Sequence, residues 1–354
     1  MSDIFGYIEK YKSCTFDIEE FNDIDNLVLS RLAYIDFNNC TNIRLKDAAK
    51  IILNNVSEKQ KNKMQRCTYR LLEMAGKSLR YGNIIISDFT NETDDSKYSF
   101  SAVTFKLNGK TSYIAFRGTD DSMASIYEDV AMSNEFPILS QTKALDYIKD
   151  YCSHNSDRFY IGGYSKGGNL ALFSYVFANE TIRDKMIKVY NNDGPGFPKE
   201  YSVLYSDRIS FDKVKFIAPK DSIVGRLMFF NAQYTIVESK AHLIKQHNVF
   251  TWKTENNKLK NTSDFSLTSD ILDNFISSSL NSIDSDELSV VNFYMNNIID
   301  KFNLSHKQDI DTNVFFKIVR FTLKNKETLI PRKLLTDLSK AIAKGFVSTL
   351  HQLV

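Results

Sequence analysis

The chain has 354 residues, 43% of them hydrophobic, and its 45 basic side chains nearly cancel its 43 acidic ones. That is enough to bury a full core in one large α/β domain with additions or in two domains, and with no long like-charge run it argues against a nucleic-acid or polyanion partner. Four cysteines (Cys14, Cys40, Cys67, Cys152) stand far apart without a CxxC spacing, which argues against a disulfide scaffold or a zinc site and leaves reduced thiols as the expectation.

The opening residues, MSDIFGYIEKYK, lack a charged stretch followed by an apolar one, and no segment approaches about 18 uninterrupted apolar residues, so a cytoplasmic protein is expected. From Asn22 to about Arg80 the pattern is helical, with Leu27, Leu29, Leu32, Ala33 and Ile35 at short helical intervals. Ser57-Glu58-Lys59-Gln60 has the form of a capping box that opens a further helix.

The character changes after Gly82. Asn83 to Asp88 reads as a strand, and Ser99 to Phe105 followed by Asn108-Gly109 and Thr111 to Phe116 reads as a β-hairpin, Asn-Gly being a strong hairpin signal. The second strand runs into Arg117-Gly118-Thr119-Asp120-Asp121, which reads equally as an ordinary charged loop or as part of a site. Gln141 to Tyr151 is an amphipathic helix.

Phe159 to Phe173 is the centre of the chain: a short β-forming run, the turn Gly163-Tyr164-Ser165-Lys166-Gly167 and a helix-forming apolar run. This Gly-X-Ser-X-Gly spacing is that of a nucleophile elbow. A serine hydroxyl is nucleophilic only when it stands clear of its own backbone, so the chain must turn sharply from strand to helix there, and glycines two residues either side carry no Cβ to obstruct the turn. The helix that follows aims its N-terminal N–H groups and positive dipole end at the serine, where an oxyanion would form. Ser165 is the expected nucleophile.

Strands and helices then alternate through Lys188 to Asn192, Lys213 to Ala218 and Tyr234 to Glu238, which predicts a mostly parallel sheet with helices on both faces. From about Asn256 the pattern is helical again. Asp284 to Glu287 can cap a helix carrying Val291, Met295, Ile298 and Phe302, and Pro331 suits the start of a final helix with Leu334, Leu335, Leu338, Ile342 and Phe346. Such an apolar stripe serves core or partner packing more often than it covers a site or lies on a membrane.

An activated serine needs a base and the base an orienting carboxylate. Among the five histidines, His154 precedes the serine, and His306 and His351 lie in helical sequence suited to the surface. His247, a short loop beyond the Tyr234 to Glu238 strand, is the expected base, with His242 its competitor; Phe250 and Trp252 can anchor that loop. For the acid, Asp221 follows the Lys213 to Ala218 strand on the side where sites form. Asp193, in Asn192-Asp193-Gly194-Pro195-Gly196, is the alternative acid or a turn residue. Thr119 and Lys166 occupy the two places that supply oxyanion N–H donors.

Taken together, Phe116 to Thr119, the helix from Gln141, Gly162 to Ala171, Asp221 to Leu227 and His247 resemble successive blocks of the class 3 (fungal-type) lipases. With the Asp193-Gly194-Pro195-Gly196-Phe197 block, they more closely resemble a bacterial family of lipase-like α/β-hydrolases. The resemblance spans about residues 20 to 255 and implies Ser165 as nucleophile, Asp221 as acid, His247 as base, and Thr119 with Lys166 as oxyanion donors. It departs in Tyr164 and Lys166, where typical lipases carry histidine and leucine. Lys166 beside the nucleophile would favour an anionic substrate or lower its reactivity, unless it is a solvated surface charge.

The expected fold is an α/β-hydrolase with a mostly parallel central sheet and helical additions at both ends. The expected regions are 1–82 (helical, packing on the core), 83–255 (hydrolase core) and 256–354 (helical). The expected function is serine-dependent hydrolysis of a small-molecule or lipid ester or thioester, without metal or cofactor and with peripheral membrane contact possible in principle. The alternatives are a binding or regulatory module that keeps the fold without turnover, and peptidase or acyltransferase chemistry.

Overall fold

The structure, a computed structural model, describes residues 2–56, 63–94, 98–120, 122–132, 135–229, 232–267, 269, 270 and 273. The expected capping box at 57–60 and the helices expected from residue 284 onward lie outside the described residues.

The chain opens with helices α1 (Ile4–Tyr11) and α2 (Asp23–Leu32), then a two-residue strand β1 (Ile43–Arg44), then α3 (Leu45–Asn55), α4 (Lys63–Lys77) and α5 (Leu79–Gly82). Strands β2 (Ile85–Asp94), β3 (Tyr98–Asn108) and β4 (Thr111–Phe116) follow, then α6 (Met123–Ala131) and α7 (Leu139–His154). The second half runs β5 (Arg158–Tyr164), α8 (Lys166–Phe177), α9 (Glu180–Lys185), β6 (Met186–Asn192), α10 (Lys199–Leu204), β7 (Val214–Pro219) and β8 (Tyr234–Val237). A small ribbon of β9 (Thr254–Glu255) and β10 (Lys258–Leu259) ends the described strands.

One eight-stranded sheet holds β1 to β8 in sequence order. Its first four strands are mutually antiparallel, and β4 to β8 are parallel. The Asn108-Gly109 hairpin forms as expected, with Asn108 opposite Thr111. Right-handed crossovers between neighbouring parallel strands taken in order put every connecting helix on one face. Side chains of α7, α8 and α9 accordingly pack with Ile114, Phe116, Phe159, Ile161, Val189 and Phe216 in one core.

The opposite face would be bare without the N-terminal helices. Alternate residues of the same strands, Tyr113, Ala115, Tyr164, Tyr190 and Ile217, pack there against α1 to α4. The N-terminal helices therefore form the second layer of the sandwich. A buried ion pair fixes them: Asp25 of α2 accepts from Arg80 Nε at 2.7 Å and Nη2 at 2.5 Å, and from Tyr81. A polar contact then joins this layer to the sheet. Asn26 and Asn192 exchange amide hydrogen bonds at 2.8 and 3.0 Å, and Asn192 Nδ2 also donates to Gly163 O at 2.9 Å. That contact holds the ends of β5 and β6 side by side beneath the Ser165 turn.

Among the described residues no helix is long and apolar enough to cross a membrane.

Candidate active site

Ser165 sits between β5 and α8 with φ 59° and ψ −132°, a backbone conformation that costs a residue with a Cβ about 1–3 kcal/mol and that the surrounding structure must impose. The flanking glycines make it possible. A Cβ on Gly163 would lie 2.3 Å from Gly167 C, and one on Gly167 would lie 2.2 Å from Phe116 O, so α8 can seat directly on β4 and β5 only with glycine at both places. Ser165 caps α8 without using its side chain, which leaves the hydroxyl free.

That hydroxyl meets His247, whose Nε2 lies 3.2 Å from Ser165 Oγ. The other ring nitrogen, Nδ1, lies 2.7 Å from Asp193 Oδ2. Asp193 has φ 51° at the end of β6, and its second oxygen accepts from Ser222 Oγ at 2.5 Å and Gly225 N at 3.1 Å. The carboxylate is thus fully buried yet partnered on both oxygens.

The structure brings together Ser165, His247 and Asp193, and sets Asp221 and His242 apart. Asp221, expected as the acid, does not meet the imidazole: its Oδ2 accepts from Gln246 Nε2 at 2.7 Å and Leu243 N at 3.0 Å. The reason is strand order. β6 neighbours β5, so a residue at its end stands beside Ser165, whereas β7 is one strand farther. Asp221 shapes the loop that carries His247. His242 is exposed at the start of the 3-10 turn Leu243–His247 and makes no contact with Ser165 or Asp193.

Three aromatic residues anchor the His247 loop. Trp252 is 1% exposed and donates from Nε1 to Gln246 O at 2.7 Å, and Phe250 stacks on Phe5 with centroids 5.2 Å apart. Tyr164, next to the nucleophile, stacks on the imidazole at 4.8 Å and donates its hydroxyl to His247 O at 2.5 Å. Burial pushes that phenol well above its usual range, so it stays a donor.

Thr119 and Lys166 both line the cavity with Ser165 and His247. As the first residue of α8, Lys166 carries an N–H with no acceptor inside the helix. Gly118 presses against the elbow, where an added Cβ would lie 2.3 Å from Tyr164 O, and this closeness sets Thr119 beside the serine. The Thr119 hydroxyl donates to Asp129 at 2.7 Å.

The Lys166 side chain is not the solvated surface charge that its place in the motif allowed. It is 1% exposed, lies 2.9 Å from Glu128 Oε2 and also donates to Ser125 Oγ at 3.0 Å. Its charge is spent inside the protein and does not face a substrate. Glu128 and Asp129 on α6 lie between residues 117–121 and the helix from Gln141, a stretch that the sequence reading does not single out; the carboxylate pair Glu128-Asp129 after an apolar run is the available signal. Among the described residues no three His, Cys, Asp or Glu side chains are grouped so as to hold a metal ion.

The sheet, the strand–Ser165–helix turn and the His247 loop beyond β8 are those of an α/β-hydrolase fold. The chain belongs to the Mbeg1-like family, whose model matches residues 75–295. No curated protein matches the sequence. Among solved structures it is similar to a lipase from Rhizopus microsporus var. chinensis (12% identity, 67% of this chain and 77% of that one, TM-score 0.35). It is also similar to the Lip2 lipase of Yarrowia lipolytica (13%, 51% and 72%, TM-score 0.31) and to a structure described as a fungal lipase (12%, 71% and 88%, TM-score 0.38). At these scores the likenesses add no weight of their own.

Proposed function

We propose that the protein is a serine hydrolase that cleaves an ester or thioester, lipase- or esterase-like, through an acyl-enzyme. The observation that carries this reading is the single imidazole bridging Ser165 Oγ at 3.2 Å and Asp193 Oδ2 at 2.7 Å. Ser165 Oγ attacks the carbonyl carbon while His247 Nε2 takes its proton, and Asp193 holds the Nδ1–H tautomer and stabilises the imidazolium. The N–H groups of Lys166 and Thr119 receive the oxyanion, each contributing about 2.7–4 kcal/mol to the transition state. His247 returns the proton to the departing alcohol or thiol. A water molecule, deprotonated by the same imidazole, then releases the acid and restores Ser165.

The test is reaction with a fluorophosphonate followed by peptide mapping, alongside turnover of short p-nitrophenyl esters. A single adduct at Ser165, absent from Ser165→Ala together with the turnover, is the expected result. Folded protein that neither labels nor hydrolyses any ester would instead leave the fold as a binding module.

A further inference from the structure

We infer that Arg31 is the docking point for an anionic group on the substrate, so that the ester cleaved at Ser165 carries a carboxylate or phosphate; this rests on the hydrolase reading above. Arg31 is on α2, in the layer that covers the sheet, and it lines the same cavity of about 920 Å³ as Ser165, Thr119 and His247. It is 2% exposed. A guanidinium is always charged, and a buried charge requires a partner.

Among the described residues every other basic group bordering that cavity meets a carboxylate: Arg117 pairs with Asp120 at 2.9 Å, Lys166 with Glu128 at 2.9 Å, and His247 lies 2.7 Å from Asp193. Among the described residues no carboxylate forms an ion pair with Arg31. Among those residues its one hydrogen bond runs from Nη2 to Thr68 Oγ1 at 2.8 Å, and its buried Nε has no acceptor.

Aromatic rings surround the guanidinium: Tyr34 at 3.9 Å, Tyr164 at 5.1 Å and Phe250 at 5.4 Å from Cζ. Such contacts engage the faces of the cation and offset part of its desolvation. The N–H edge is the part that recognises planar or tetrahedral oxyanions; Thr68 takes Nη2, Nε is enclosed, and among the described residues Nη1 makes no hydrogen bond and remains for a ligand. Tyr164 ties the cation to the reaction centre, since the same ring stacks on His247. An anion seated on Arg31 therefore fixes the distance at which a substrate carbonyl reaches Ser165. The anionic preference that the motif suggested through Lys166 is supplied instead from α2.

Two matched substrate pairs test this and separate the sources of the anion. Mono-p-nitrophenyl glutarate against p-nitrophenyl hexanoate reads a carboxylate on the acyl side. A 1-acylglycerol 3-phosphate against the corresponding 1-acylglycerol reads a phosphate on the alcohol side. The expected result is a kcat/KM ratio of about tenfold or more for the charged member of at least one pair. That ratio should fall toward one in Arg31→Met and be partly kept in Arg31→Lys. Neutral members hydrolysed as well or better in both pairs, or a ratio unchanged in folded Arg31→Met, would overturn the proposal.

Should Arg31→Met not fold, the wild-type ratios decide, together with competition by free glutarate and glycerol 3-phosphate against the neutral esters. Should no ester be turned over and Ser165 not label, the hydrolase reading falls separately. Thermal stabilisation of the wild type by glutarate or glycerol 3-phosphate would then still support Arg31 as an anion site, and no stabilisation by either would refute it.

Discussion

Lys166 Nζ lies 2.9 Å from Glu128 Oε2, and the two side chains are only 1% and 2% exposed. The same carboxylate accepts from Ser99 N at 3.1 Å, Ser140 N at 3.1 Å and Ser140 Oγ at 2.7 Å, so one glutamate joins β3, α6 and the first turns of α7 and α8. Removing one partner of such a pair strands the other charge in the interior. Lys166→Met and Glu128→Gln should each lower the unfolding free energy by about 3–5 kcal/mol. The double variant Lys166→Met/Glu128→Gln should lose clearly less than the sum of the singles. Denaturant unfolding of the four proteins measures this; additive losses would show that the pair is not coupled.

The two candidate acids separate by substitution. Asp193→Asn keeps the shape of the contact with His247 but supplies the imidazole with the wrong tautomer, and kcat should fall by about 10⁴. Asp221→Asn retains an oxygen that can accept from Leu243 N or Gln246 Nε2, the two donors that Asp221 now holds, and should change kcat less than about tenfold. Turnover of a p-nitrophenyl ester distinguishes them. A large loss in Asp221→Asn with activity kept in Asp193→Asn would mean that the loop rearranges on substrate binding.

The histidines give a parallel contrast. His247→Ala should abolish nearly all turnover, because the members of such an arrangement act as a unit. His242→Ala, at an exposed position on the same loop, should keep most of it. Equal activity in the two variants would remove the proposed mechanism.

What could be read from the sequence divides along local and non-local lines. The Asn108-Gly109 hairpin, the Gly163-Ser165-Gly167 elbow and the aromatic anchors after His247 are set by residues within a few positions of one another, and the structure reproduces them. The choice between Asp193 and Asp221 was not local, since both end parallel strands and only the pairing order puts one beside β5. Lys166 reads either as a charge acting on the substrate or nucleophile or as a solvated one until Glu128, on a helix far upstream, is known to lie against it. Arg31 sits in an apolar helical stretch and looks like one solvated edge of it. Its burial comes from α4 crossing over α2, where Thr68 takes its hydrogen bond.

The last expectation concerns Asp129, whose carboxylate opens on the cavity and accepts from the Thr119 hydroxyl at 2.7 Å. The side chain is exposed at the cavity mouth, but the protein crowded around it costs the charged form part of its hydration and holds the carboxyl above the usual aspartate value of 3.8. Lys166 and the Thr119 hydrogen bond pull the other way, and Glu128 adds to the rise. With the folded value above the unfolded one, the folded state binds more protons in the interval between them. Stability therefore falls as pH rises through that interval, and the deficit persists at higher pH. Asp129→Asn has no proton to lose and escapes this slope. Its melting temperature relative to the wild type should climb from about pH 4 to about pH 8, whatever constant offset the altered contact with Thr119 introduces. A relative melting temperature that drops over the same range would mean that the fold favours the charged carboxylate, and that Lys166 and Thr119 outweigh its lost hydration.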